Sequence, residues 1–302
     1  MKNLIGMLER KNIFTPKIGF VRVLLATGAL LTLFSNDLKE MTDFNLISQD
    51  GMIILKNMIF KEYSIFELLG LYWGKIVSIL ILLFIYTGYF PQITTFLQAW
   101  VHFSICNSFL IVEGGDQIAS NLSILLIPIC LFDNRINQWN HESNTFSQPR
   151  KSINVFFNVY YFLISLQVAT VYLHASIGKF YKPEWRDGTC LYYWFTNNTF
   201  GAPYWPQKIY NLITLSSLAP IFSWSIMIFE LCLFGCIFST KKSLRKFFLL
   251  SGLAFHFAII ITHGLVSFFF SMAAALILYI DDDNIIYTFV TKIKNKIYGI
   301  KI

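Results

Sequence analysis

Apolar positions in this chain fall in long unbroken blocks. They show neither the three-to-four spacing of a half-buried helix nor the alternation of a half-buried strand. Eight blocks stand out, at 18–35, 73–91, 93–112, 117–132, 153–175, 215–238, 247–263 and 264–280. Most approach the ~20 residues that a helix needs to cross ~30 Å of hydrocarbon. In hydrocarbon every backbone donor must be satisfied within the chain, so blocks of this length predict helices rather than barrel strands. Residues 247–280 form one continuous apolar stretch. As a single helix that stretch would run ~51 Å at 1.5 Å per residue, so Gly264 in "THGL" is expected to break it. The pattern predicts an all-α, polytopic membrane bundle of about eight transmembrane helices, forming one domain over 1–302.

Composition agrees. The chain is 55% hydrophobic and only 14% charged, against a charged fraction of ~25% in soluble domains. The opening "MKNLIGMLERKNIFTPK" has too short an apolar core for a cleaved signal peptide, so the first block is expected to remain as an anchor. Five cysteines without a CxxC pair support neither a disulfide framework nor a zinc site. The formal charge of +7 comes from residues at block ends, which fits membrane topology and not nucleic acid. GxxxxGK[ST], HExxH and GxSxG motifs are absent, which argues against ATP-driven transport, zinc proteolysis and α/β-hydrolase chemistry.

Charge also sets the orientation. With eight spans, both termini share a side with 133–152 and 239–246, and that side holds 15 of the 24 basic residues. The opposite side holds ten of the 17 acidic residues. The positive-inside rule then puts both termini in the cytoplasm. Segments 36–72 and 176–214 and the link "EGGD" (113–116) face outward, where Glu113, Asp116, His174 and Lys179 all approach one face.

Several polar residues stand against the apolar background. Lys179 ends the fifth block in "VYLHASIGKFYKPEWRDG". Its position suits a lysine that snorkels to the headgroups. The alternative is a lysine desolvated among aromatics and acting as a base. His174 lies five residues earlier, about 140° round the helix, and flanks the same turn. In "EGGDQ" the glycines suit a tight turn; Asp116 either caps the next helix or handles a proton or ligand. Glu113, Gly114, Gly115, Gln117, Trp185, Asp187 and Trp194 are the surrounding candidates for binding. Glu230, His102 and His256 lie within spans, where an unpaired carboxylate costs at least ~2.5 kcal/mol. Glu230 is therefore expected to be protonated or paired with a group such as His256. Arg22, near the start of the first span, reads as a snorkelling residue, and Arg135 in "DNRINQW" reads as an anchor. Pro220, in a long span, suits a broken transporter helix.

The stretches "WVHFSICNSFLIVEGGDQIASNLSILLIPICLFDNR" and "VATVYLHASIGKFYKPEWRDGTCLYYW" resemble the horizontally transferred transmembrane (HTTM) superfamily, related to the membrane domain of vitamin K-dependent gamma-carboxylase. With "KIGFVRVLLATGALLTLFSN", "GGDQI" and "LLIPICLFDNR", the chain looks most like the sporulation-delaying protein B group, which serves systems that mature a secreted antimicrobial peptide. Lys179 matches the lysine regarded as the base of the carboxylase, with one more residue before Trp185. Asp116 stands where the carboxylase has a histidine near the quinol. The resemblance implies a protein of the bacterial cytoplasmic membrane that acts at the outer face on an exported peptide precursor with a small partner protein. A quinol enters by resemblance alone. Two mechanisms are implied: Lys179 as general base, tuned by His174 and Asp116, or a non-enzymatic docking and export scaffold. A membrane carrier for peptide or lipid is a third reading, motivated by Glu230 and Pro220.

Overall fold

The computed structural model describes residues 12–42, 60–110, 112–140, 148–197, 201–202, 204–214 and 216–281. The basic residues expected near the chain ends, such as Lys2, Arg10 and Lys292, and most of the outward segment 36–72 lie outside the described residues. The described chain is helical, with one isolated antiparallel bridge between Tyr89 and Asn137. The helices are α1 (Pro16–Ser35), α2 (Leu38–Thr42), α3 (Ile65–Thr87), α4 (Pro91–Ser108), α5 (Gly114–Leu131), α6 (Gln148–Phe180), α7 (Pro183–Asp187), α8 (Thr189–Thr196), α9 (Tyr204–Thr214), α10 (Ala219–Gly235), α11 (Lys242–His263) and α12 (Val266–Ile280).

By length and composition, six helical stretches can cross a membrane: α1, α3, α5, residues Ser152–Phe180 of α6, α10 continued to Phe238, and α11. Two further helices, α4 and α12, lie at the other two expected blocks but are not among these six, each for a physical reason. α4 carries Thr94, Thr95, Gln98, His102, Ser104 and Ser108, all buried, so its polar face is turned into the bundle and lowers its hydropathy. α12 has 15 residues, ~22 Å at 1.5 Å per residue. Every residue from Ser271 to Ile280 is buried, because α1, α5, α6 and α11 pack around it. A short helix that is hydrophobic on all sides belongs at the centre of a bundle. The expected break falls at Gly264, which caps α11 at φ 71° with its amide on the Ile260 carbonyl. That left-handed conformation suits glycine.

Around this centre lie two apolar clusters. One joins α1, α5, α6 and α12. The other joins α1, α3 and α4 through Ala26, Leu33, Ile65, Leu82, Val101 and Ile105. Leu80, Phe84, Phe162, Leu163, Ile221 and Phe257 point outward and are exposed, as a lipid-facing surface requires. Pro220 sits in the first turn of α10 and interrupts no helix. Proline is favoured there because that turn has no intrahelical use for its amide, and this removes the motive for a broken transporter span.

One end of the bundle is closed by buried cations. Arg22 is 1% exposed and does not snorkel. Side chains lean toward the N-terminus of their helix, and in that direction Arg22 meets Gln98 Oε1 at 3.0 Å, Gln138 Oε1 at 2.8 Å and Thr94 Oγ1 at 2.8 Å. Gln98 Nε2 returns a bond to the Arg22 carbonyl at 2.8 Å. Arg135 pairs with Asp133 at 2.7 Å and donates to the carbonyls of Gln138 and Asn140, so it folds its own loop as well as anchoring it. At the same end, Lys17 Nζ donates to the Asp281 carbonyl at 2.6 Å, tying the start of α1 to the end of α12.

Candidate functional site

At the opposite end, α6 and α10 run antiparallel and meet along two polar stripes. Tyr172, Ser176 and Lys179 follow the i, i+4, i+7 spacing of one helix face, and Ser223, Met227 and Glu230 do the same on α10. Ser176 Oγ donates to the Met227 carbonyl at 2.8 Å and fixes the register. Lys179 then leans back along α6 into the bundle, and Glu230 leans toward the start of α10, as the tilt of Cα–Cβ bonds dictates. Lys179 Nζ donates to both Glu230 oxygens at 2.6 Å. The side chains are 20% and 9% exposed. A lysine on the last turn of a helix must turn against this tilt to snorkel outward; Lys179 instead finds its partner inside.

The aromatic loop segment covers the pair. Lys179 Nζ lies 5.0 Å from the ring centroid of Trp185 in α7. α7 is pinned to α10 by a bond from Trp224 Nε1 to the Arg186 carbonyl at 3.0 Å, and Trp224 also packs edge-on against Phe180. Gly188 links α7 to α8 at φ 85°, and a Cβ there would lie 2.4 Å from Pro220 N, so the contact needs glycine on both counts. Asp187 Oδ1 accepts from the Thr189 amide at 2.9 Å and hydroxyl at 2.7 Å, which starts α8 and holds the carboxyl below its ordinary range. Cys190 is buried next, and burial pushes its thiol up to about 11, so it is an inert packing group. Trp194, in α8, packs edge-on to His263 at 6.1 Å and not against Lys179.

Two other candidates take different partners from those expected. His256 does not pair with Glu230. Its Nε2 lies 3.1 Å from Tyr172 Oη, among the rings of Phe255 and Phe268. Its Nδ1 has no partner among the described residues. His174 is exposed, and no bond joins it to Lys179 among the described residues.

The "EGGD" turn is used for packing. Gly115 touches α12, where a Cβ would lie 2.7 Å from Phe268 Cα, while Gly114 leaves 3.7 Å. Glu113 accepts from Ser267 Oγ. Burial raises this carboxyl above its ordinary range, and the Ser267 hydroxyl and Phe268 amide oppose the shift. Asp116 is buried where α5 meets α4, its carbonyl 3.3 Å from Cys106 Sγ, and no bond links it to Lys179 among the described residues. Gln117 is exposed, and His102 is buried in α4 with Nε2 lacking a partner among the described residues. Thus Lys179 and Trp185 lie together, with Glu230 as the third member. Glu113, Gly115 and Asp116 gather at a separate α4–α5–α12 contact.

A cleft beside Tyr172, lined by residues of α5, α6 and α12, has an interior volume of about 20 Å³. Small-molecule sites occupy ~300 Å³ or more. The cleft has room for a water, and a quinol ring does not fit it. Among the described residues no three His, Cys, Asp or Glu side chains gather to hold a metal ion.

These features define a multi-pass helical membrane protein with a covered lysine–carboxylate pair between two of its helices. The chain is 31% identical over 284 residues to the Sporulation-delaying protein SdpB of Bacillus subtilis (strain 168), a match covering 93% of this chain and 85% of that protein. It is 29% identical over 297 residues to the Uncharacterized protein YitO of the same organism, covering 97% and 94%. No family model and no solved structure matches it. The chain belongs to the SdpB family.

Proposed function

We propose that this protein serves the production of a secreted antimicrobial peptide as a non-enzymatic docking scaffold in the bacterial cytoplasmic membrane. Its Lys179 end faces outward and both termini lie in the cytoplasm, as the basic-residue count supports. The exported precursor and a small partner protein meet the aromatic segment from α7 to α9 there. The fold is the single-domain membrane bundle that resembles the HTTM superfamily.

The observation that carries this reading is the Lys179–Glu230 pair. A general base must present a lone pair to its substrate. Lys179 instead commits its N–H donors to both oxygens of Glu230 and lies against the face of Trp185, the geometry of an ammonium. Asp116 and His174, the expected tuning groups, are elsewhere. A buried charge pair of this kind fixes which residues meet: here it sets the register of α6 on α10 and seats α7, and so shapes the outer surface.

The test uses Lys179→Arg and Lys179→Ala in a strain that produces the peptide, with mass spectrometry of the mature product. The scaffold reading expects Arg to retain at least half of wild-type output, Ala to lose most of it, and the peptide mass to carry no modification that depends on this protein. A base requirement would make Arg as inactive as Ala, and a mass change lost in both variants would establish chemistry in place of docking.

A further inference from the structure

Residues 231–280 contain no aspartate or glutamate, yet Lys241, Lys242, Arg245 and Lys246 crowd the start of α11. Arg245 turns inward. Its guanidinium donates to the Cys236 carbonyl at 3.0 Å and to the Tyr279 carbonyl at 3.0 Å, tying α11 to the segment after α10 and to the end of α12. The three lysines are exposed, and none has a carboxylate partner among the described residues. Their placement is costly, because a helix N-terminus carries partial positive charge that first-turn cations oppose. Lys241 is the N-cap and supplies no side-chain cap, and the first turn holds no acid. The amides of Lys242, Ser243 and Leu244 precede the first intrahelical bond, from the Arg245 amide to the Lys241 carbonyl at 3.1 Å, and have no acceptor within the helix. A bias of basic residues toward one side of the membrane accounts for cations at this end, but not for their crowding on one helical turn.

The lysine face continues into apolar surface. Lys242, Lys246 and Leu250 follow at four-residue intervals, and Phe257 lies seven residues beyond Leu250, so all four fall within about 80° of the helix surface. Leu250 and Phe257 are exposed, as the lysines are. α11 is long and apolar enough to cross the membrane. From Lys246 to Phe257 the stripe runs ~16 Å along the axis, about the depth of one leaflet of a ~30 Å hydrocarbon core. We infer that this stripe docks an anionic phospholipid whose headgroup carries a phosphodiester and no amine. The phosphate lies between Lys242 and Lys246, and an acyl chain follows Leu250 and Phe257. A zwitterionic headgroup fits less well, because its own ammonium cancels the charge that attracts the lysines. A soluble phosphate leaves the apolar track uncovered. Arg245 keeps the site in place, and the bound lipid braces the junction of α10, α11 and α12 at the end opposite the Lys179–Glu230 pair. This inference does not depend on the role of Lys179.

The test places the purified full-length protein in phosphatidylcholine vesicles with a trace of photoactivatable lipid. The lipid carries a diazirine on its acyl chain and a phosphatidylglycerol or a phosphatidylcholine headgroup. Peptide mass spectrometry reads the labelling of residues 247–257, with Leu80, Leu83 and Phe84 of α3, also exposed, as reference. One lysine near the surface is worth about a fivefold change in anionic-lipid affinity. Phosphatidylglycerol should therefore label 247–257 at least about fivefold more than phosphatidylcholine, with no such preference on α3. Lys242→Gln with Lys246→Gln is expected to bring the ratio close to that of α3. Lys242→Arg with Lys246→Arg, which keeps both charges, is expected to retain it, separating loss of charge from loss of fold. Equal labelling by the two lipids overturns the inference, as does a preference that survives the glutamine variant. A preference of the same size on α3 would show general surface attraction without a site and overturn it as well. Excess glycerol phosphate that abolishes the preference would assign the lysines to a soluble phosphate and overturn the lipid assignment.

Discussion

Replacing Lys179 by methionine keeps the apolar bulk of the stem and removes the ammonium, so Glu230 loses both 2.6 Å contacts. With the side chains 20% and 9% exposed, solvent cannot take over fully on either side. Breaking a buried pair by removing one partner costs ~3–5 kcal/mol, because the other charge is left uncompensated. Glu230→Met should cost less, ~1–3 kcal/mol, since the freed lysine is the more exposed partner and can turn outward. Replacing both by methionine removes both charges, and such replacements are often neutral or stabilising by ~1–4 kcal/mol. The double variant should therefore unfold close to wild type, with a coupling energy above ~2 kcal/mol. Denaturant unfolding of the four proteins in mixed micelles measures that coupling. Single variants that match wild type within ~0.5 kcal/mol, or losses that simply add, would refute the view that this pair is sequestered from water.

Other expectations follow from the packing. Gly115→Ala should destabilise the protein by ~1–3 kcal/mol through overpacking on Phe268, while Gly114→Ala should be near neutral; thermal unfolding compares them. Arg22→Met leaves the oxygens of Gln98, Thr94 and Gln138 without their donor, at ~1–3 kcal/mol for each group left unsatisfied, so the folded yield in membranes should fall sharply. For Glu113, burial holds the folded carboxyl above its ordinary range. Its contribution to stability is complete at pH below the range in which the unfolded carboxyl titrates, and is lost as pH rises through the raised range of the folded one. Relative to Glu113→Gln, the wild type should therefore be more stable at acid pH than at pH 8, and an unfolding difference independent of pH would contradict this.

Much of the bundle was legible in the chain because hydrocarbon leaves the backbone few choices. Block length marked the helices, and Gly264 marked the break, since a left-handed cap suits glycine. The rank of α12 was hidden. A 15-residue apolar run looks like a weak span from sequence, and only packing shows that α1, α5, α6 and α11 enclose it. Arg22 looked like a snorkelling residue because its partners Gln98 and Gln138 are 76 and 116 positions away. The Tyr172–Ser176–Lys179 stripe could be read by counting turns, as could Ser223–Met227–Glu230. That the two stripes meet could not be read from spacing, because it is set by the antiparallel packing of α6 on α10. For the same reason Glu230 was assigned to His256, which Tyr172 holds instead.

The most direct measurement of the central claim is the output of antimicrobial peptide from a strain carrying the charge-exchanged protein, Lys179→Glu with Glu230→Lys. If the pair acts by positioning, the exchange should recover most of the output that either single change removes. If the exchanged protein assembles in the membrane but yields no more peptide than the single variants, the amine at position 179 is itself required and the scaffold account is contradicted.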